Sequence, residues 1–169
     1  MPTATDLPGG LGADYAQDAD HRPLVGYSAL SAGFGVALAG ALAATRWHGR
    51  ELPERLSVQD LVLAGVATHK ISRLIAKDKV TGFIRAPFTR FQEKTGQGEV
   101  EEAPRGGGLQ HAVGELLVCP YCLAQWVAAG FTVGYVYAPR ATRLLAGLWT
   151  IHAIADGAQL AYSAAQQRT

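Results

Sequence analysis

The two cysteines of the chain stand together as Cys119-Pro120-Tyr121-Cys122, at the entrance to a long apolar run. That spacing supports two chemistries. As a redox pair, the thiols sit where a helix would begin; there the helix dipole acidifies a thiol, and proline suits the first turn. As a metal site, two thiolates supply half of a tetrahedral shell for zinc or iron. His111 and His69 are the nearest candidates for the other half, although no local signature joins them to the cysteines. The plainer alternative is that both thiols stay reduced and buried as small apolar groups, while Cys-Pro shapes the helix entry.

The tetrapeptide CPYC also resembles the active site of glutaredoxins, but over four residues only. A thioredoxin-like fold needs a strand and a βαβ context, whereas this chain continues as LAQWVAAGFTVGYVYA. A second polar constellation is His69-Lys70-Ile71-Ser72-Arg73, in which Lys70 and Arg73 lie on adjoining turns of one helical face. Cations in an apolar helix either snorkel to phosphates or meet a partner. Asp156, the one formal charge between Leu144 and Ala165, is the natural partner. His152 precedes it by one turn, so the two share a face that serves either a bundle-internal polar bridge or an ion or proton path. Nucleophilic triads, phosphate loops and paired catalytic carboxylates find no convincing frame, and Gly106-Gly107-Gly108 reads as a hinge. An enzyme is thus the less favoured reading.

The elements that position these residues follow from where charge is missing. Of the 169 residues only 17% are charged and 49% are hydrophobic, and the mean hydropathy of +0.08 hides strong clustering. Pro23 to Thr45 and Leu116 to Pro139 are 23 and 24 residues without a formal charge. Each is long enough to cross a hydrocarbon core, which needs about 20 residues. Leu144 to Ala165 and Leu61 to Ala76 are weaker candidates. The expected fold is therefore an all-α integral membrane bundle of about four transmembrane helices, with a polar loop at 77–111. In the first window Ala29, Gly33, Ala37 and Ala41 recur every four residues and make a small-residue face for helix packing in lipid.

Residues 1–22, with four aspartates, read as a flexible acidic tail, and 23–169 as one helical membrane domain. Their charge is wrong for a cleaved signal peptide. Within 77–111, VTGFIRAPFTRF interleaves aromatics with bases as a headgroup-lying segment or an irregular loop, and TGQGEVEEAPRGGG reads as a flexible connector. With four spans, the side holding both termini receives eight Lys or Arg against five, which places both termini in the cytoplasm. A formal net charge of +1 gives no reason to expect nucleic acid as a partner.

Several ordered stretches, THKISRLIAKDKVTGFIRAPFT at 68–89, GEVEE at 98–102 and GELLVCPYCLAQWVAA at 114–129, together resemble the bacterial family called domain of unknown function 1360. The resemblance covers about 60–165. It implies a small bacterial membrane protein, connected with sporulation in some members, of no established activity. By resemblance the motif positions are His69, Arg73, Asp78, Arg85, Pro87, Phe88, Gly114, Glu115, Leu116, Cys119, Pro120, Cys122 and Trp126. The expectation is a multi-pass scaffold or accessory subunit of the bacterial cell membrane, forming a homo-oligomer or joining a larger complex. The alternatives are a metal- or thiol-dependent membrane enzyme or sensor using Cys119 and Cys122, and an ion or proton pathway using His152 and Asp156.

Overall fold

The computed structural model describes residues 23–168; the tail at 1–22 lies outside the described residues. Of these, 71% are helical. The order is α1 (Leu24–Ala43), α2 (Val58–Lys77), a 3-10 turn (Lys79–Thr81), α3 (Gly82–Arg85), β1 (Thr89–Thr95), β2 (Glu99–Pro104), α4 (Gly108–Val118), α5 (Pro120–Tyr137) and α6 (Pro139–Gln166). The four longest helices fall on the four apolar stretches.

The polar region at 77–111 is not the loop expected from its composition. β1 and β2 pair antiparallel from Thr89↔Pro104 to Thr95↔Glu99, with an irregularity between Phe91 and Glu93. The connecting glycines Gly96 and Gly98 have φ of 58° and 83°, a left-handed turn that side chains resist. What reads as a linker, 95–108, is therefore a hairpin turn followed by the strand β2. The segment VTGFIRAPFTRF is likewise not one continuous helix, so its apolar residues Ile84, Phe88 and Phe91 fall in different places. Ile84 ends up in α3, Phe91 in β1, and Phe88 between them.

The described chain forms two compact units, one from 23–39 with 74–123, the other from 40–73 with 124–168. In the first, α4 packs on β2 at Gly114, where a Cβ would lie 2.5 Å from the Phe88 carbonyl oxygen and 3.1 Å from Pro104 Cβ. α1 meets α4 the same way, since a Cβ on Gly26 would sit 2.7 Å from Ala112 Cβ. Small residues let these backbones approach. The second unit has a core of Ala67, Phe131, Tyr135 and Ala146, to which α2, α5 and α6 contribute. Gly134 faces Thr142 across a gap no side chain could fill, and Thr150 Oγ1 donates to the Leu63 carbonyl at 3.0 Å.

Among the described residues α1 alone is both long and apolar enough to cross a membrane. A second candidate arises only if α4 and α5, bent by 84° at their junction, count as one broken span. The apolar window from Leu116 is thus two helices: α4 closes at Val118, Cys119 takes extended backbone (φ −101°, ψ 103°), and α5 begins at Pro120. Four spans are not what length and composition give. α2 carries Asp60, Lys70, Arg73 and Lys77, and α6 carries Arg140, Arg143 and Asp156.

Candidate functional site

Among the described residues Arg85 is the most deeply buried charged group, with no exposed surface. Its Nε and Nη2 donate to the two Glu102 oxygens at 3.1 and 2.8 Å, a planar fork on a carboxylate. Nη1 donates to the Ile75 carbonyl at 2.6 Å and to Thr81 Oγ1 at 2.8 Å, and Nη2 also reaches the Asp78 carbonyl at 3.1 Å. Thr81 Oγ1 in turn donates to the Leu74 carbonyl at 2.6 Å. Of these, the Ile75 carbonyl lies in the last turn of α2 and lacks its helical donor, because the Lys79 N–H turns to Gly98, whereas the Leu74 carbonyl also accepts the Asp78 N–H at 3.2 Å. The five guanidinium donors are all used, so Arg85 has none left for a substrate anion. Its work is to fasten the end of α2 to the hairpin. Thr89 Oγ1 donates to Glu102 as well, and Lys77 Nζ pairs with Glu101 at 2.8 Å.

Burial alone would raise the Glu102 carboxyl, but hydrogen bonds from Arg85 and Thr89, with the charges of Arg85 and Lys77, outweigh it and hold the group below its ordinary 4.5. A carboxyl depressed on folding stabilises the folded state in full above its unfolded value and loses that contribution as pH falls through its folded value. The melting temperature of the full chain should therefore drop on acidification below about pH 4.5, with a smaller acid-dependent drop in Glu102→Gln. An equally steep drop in that variant would assign the effect to other carboxylates.

Other motif residues support the same unit. Tyr27 Oη donates to Glu115, tying α1 to α4, and His111 Nε2 lies 3.8 Å from the same carboxylate. The Pro87 carbonyl accepts from Arg105 Nε and Gln110 Nε2, both at 3.0 Å. Asp78 bridges to Glu99 through backbone, and Trp126 is half-buried in α5.

Cys119 and Cys122 are joined as a disulfide, with Cα atoms 5.3 Å apart. This corrects the reading of reduced, buried thiols. The break after α4 brings the two within bonding range, and Cys122 is exposed. Among the described residues no group of three or more His, Cys, Asp or Glu gathers as a metal site, so His69, His111 and the cysteines are not brought together as one ligand set.

In the second unit Lys70, 8% exposed, has its Nζ 2.6 Å from Asp156. His152 is exposed and its ring lies edge-on to Trp149 at 6.0 Å. Arg73 and His69 are exposed on α2. A pair that the residue pattern does not flag is Asp60 with Arg143, whose Nε and Nη2 donate at 2.8 and 3.0 Å. It borders an open cleft of about 640 Å³ lined also by Tyr135 and Pro139. Ala29, Gly33 and Ala37 are exposed along α1 and Ala41 is half-buried, with nothing within 4 Å of a Cβ on Gly33.

A small, mostly helical protein results, with an apolar first helix, a hairpin locked by a buried Arg–Glu pair and a disulfide at a helix junction. Residues 63–162 match the family described as Protein of unknown function (DUF1360), and the chain belongs to that family. It is 30% identical over 90 residues to UPF0713 protein YngL of Bacillus subtilis (strain 168), a match covering 52% of this chain and 65% of that one. It is 29% identical over 98 residues to Sporulation protein YjcA of the same organism, covering 56% and 83%. The chain thus spans just under two thirds of YngL. No solved structure matches it.

Proposed function

We propose that the protein is an integral membrane scaffold or accessory subunit of the bacterial cell membrane, assembling with itself or with a larger membrane complex through small-residue helix faces. The observation that carries this reading is apolar surface left uncovered on the helices. α1 has one buried residue, Gly26, and α6 exposes Leu144, Leu148, Ile151, Ile154 and Leu160 at 56–76%. So much exposed apolar area on a monomer is covered by lipid or by another chain.

In this reading α1, α2, α5 and α6 form a bundle of about four spans with both termini cytoplasmic. The 2.6 Å Lys70–Asp156 pair supports it, because a cation within a lipid-embedded helix requires a nearby counter-charge. The exposed stripe of Ala29, Gly33 and Ala37 would let a second helix approach closely.

Replacing both Gly33 and Ala37 by leucine in the full chain tests the assembly. Both sites are exposed, so helical content should hold while the oligomer mass measured by light scattering in mild detergent falls. Unchanged mass rejects assembly through this face.

A further inference from the structure

We propose that Cys119–Cys122 is an exchangeable redox centre that takes two electrons from a dithiol, an activity separate from the scaffold role. The bond joins residues three positions apart, the junction residue Cys119 and Cys122 in the first turn of α5. A cross-link closing so short a loop restricts the unfolded chain least, so it is poorly placed as a structural staple. It is also accessible: Cys122 is exposed and Tyr121, between the cysteines, is 89% exposed.

The two sulfurs differ in a way that sets their roles. Cys119 lies just before the first turn of the 18-residue α5, and its Sγ accepts the Cys122 backbone N–H at 3.2 Å. A negative charge on that sulfur is therefore stabilised by an oriented amide and by the positive end of the helix dipole. Cys119 is the better leaving group and Cys122 the more accessible sulfur to attack. One thiolate of the dithiol attacks Cys122 Sγ, breaking the Cys119–Cys122 bond, and Cys119 leaves as the thiolate and takes a proton. The second thiolate then attacks the partner sulfur of the mixed disulfide, and Cys122 leaves and is protonated. The dithiol is oxidised to a disulfide, this pair is reduced to two thiols, and the two protons come from the dithiol.

The test uses the full chain in detergent micelles, with dithiothreitol as the dithiol. Thiol blocking and mass measurement should show reversible interconversion with the ratio of reduced to oxidised dithiothreitol, while circular dichroism stays constant. In Cys122→Ser, alkylation of Cys119 by iodoacetamide should have its pH midpoint at least one unit below the ordinary value of about 8.5, equivalent to about tenfold more thiolate at pH 7. Cys119→Ser, which leaves Cys122 alone, should alkylate with an ordinary midpoint. A bond that resists millimolar dithiothreitol in the folded protein overturns the proposal. So does a Cys119 midpoint at or above 8.5 in a variant whose circular dichroism matches the wild type.

Discussion

Arg85→Ala should unfold much of the unit formed by the hairpin and α4, lowering stability by about 3–5 kcal/mol, because it strands the Glu102 carboxylate in a site built around its counter-charge. Glu102 has 9% of its side chain exposed, and Arg85 none. The substitution also removes donors from the Ile75 and Asp78 carbonyls at the end of α2. Limited proteolysis within β1 and β2, or chemical denaturation of the full chain in detergent, reads the loss. The double replacement Arg85→Met with Glu102→Leu should recover more than half of it, since no lone charge is then left inside. A single variant as stable as the wild type would show that the ion pair contributes nothing to the fold.

Gly114→Ala should be the next most damaging single change, costing about 1–3 kcal/mol through overpacking. The added methyl would meet the Phe88 carbonyl oxygen and Pro104 at distances that only backbone movement can relieve. Helix propensity runs the other way by up to about 1 kcal/mol, so the steric term must win for the prediction to hold. Gly33→Ala is the matched control: it also lies in a helix, has nothing within 4 Å, and should be neutral or slightly stabilising. Equal effects at the two positions in urea denaturation would remove the packing argument.

Runs with little or no formal charge made the four long helices legible, because the length and apolarity of such a run are properties of a continuous stretch of sequence. The 23-residue window from Pro23 holds all of α1, and Leu61 to Ala76 lies inside α2. The hairpin was illegible for a physical reason. Gly96 and Gly98 look the same in sequence whether they terminate strands or loosen a linker, and only φ distinguishes the two. The Arg85–Glu102 and Asp60–Arg143 pairs were hidden because partners so far apart in sequence leave no local signature. The start of α5 at Pro120 was legible from Cys-Pro, whereas α4, which ends just before it at Val118, was hidden because the apolar window from Leu116 reads as one run. The cysteine pair was visible, whereas its bonded state depended on the break between those helices.

The Lys70–Asp156 contact also bears on how the chain is made. Asp156 follows Lys70 by about 86 residues, so at about 5–20 residues per second the ribosome delivers the acid roughly 4 to 17 s after the base. During that interval α2 carries an uncompensated ammonium. Stable burial of that amine is therefore postponed until α6 has emerged, and the last helix sets the moment at which the second one settles.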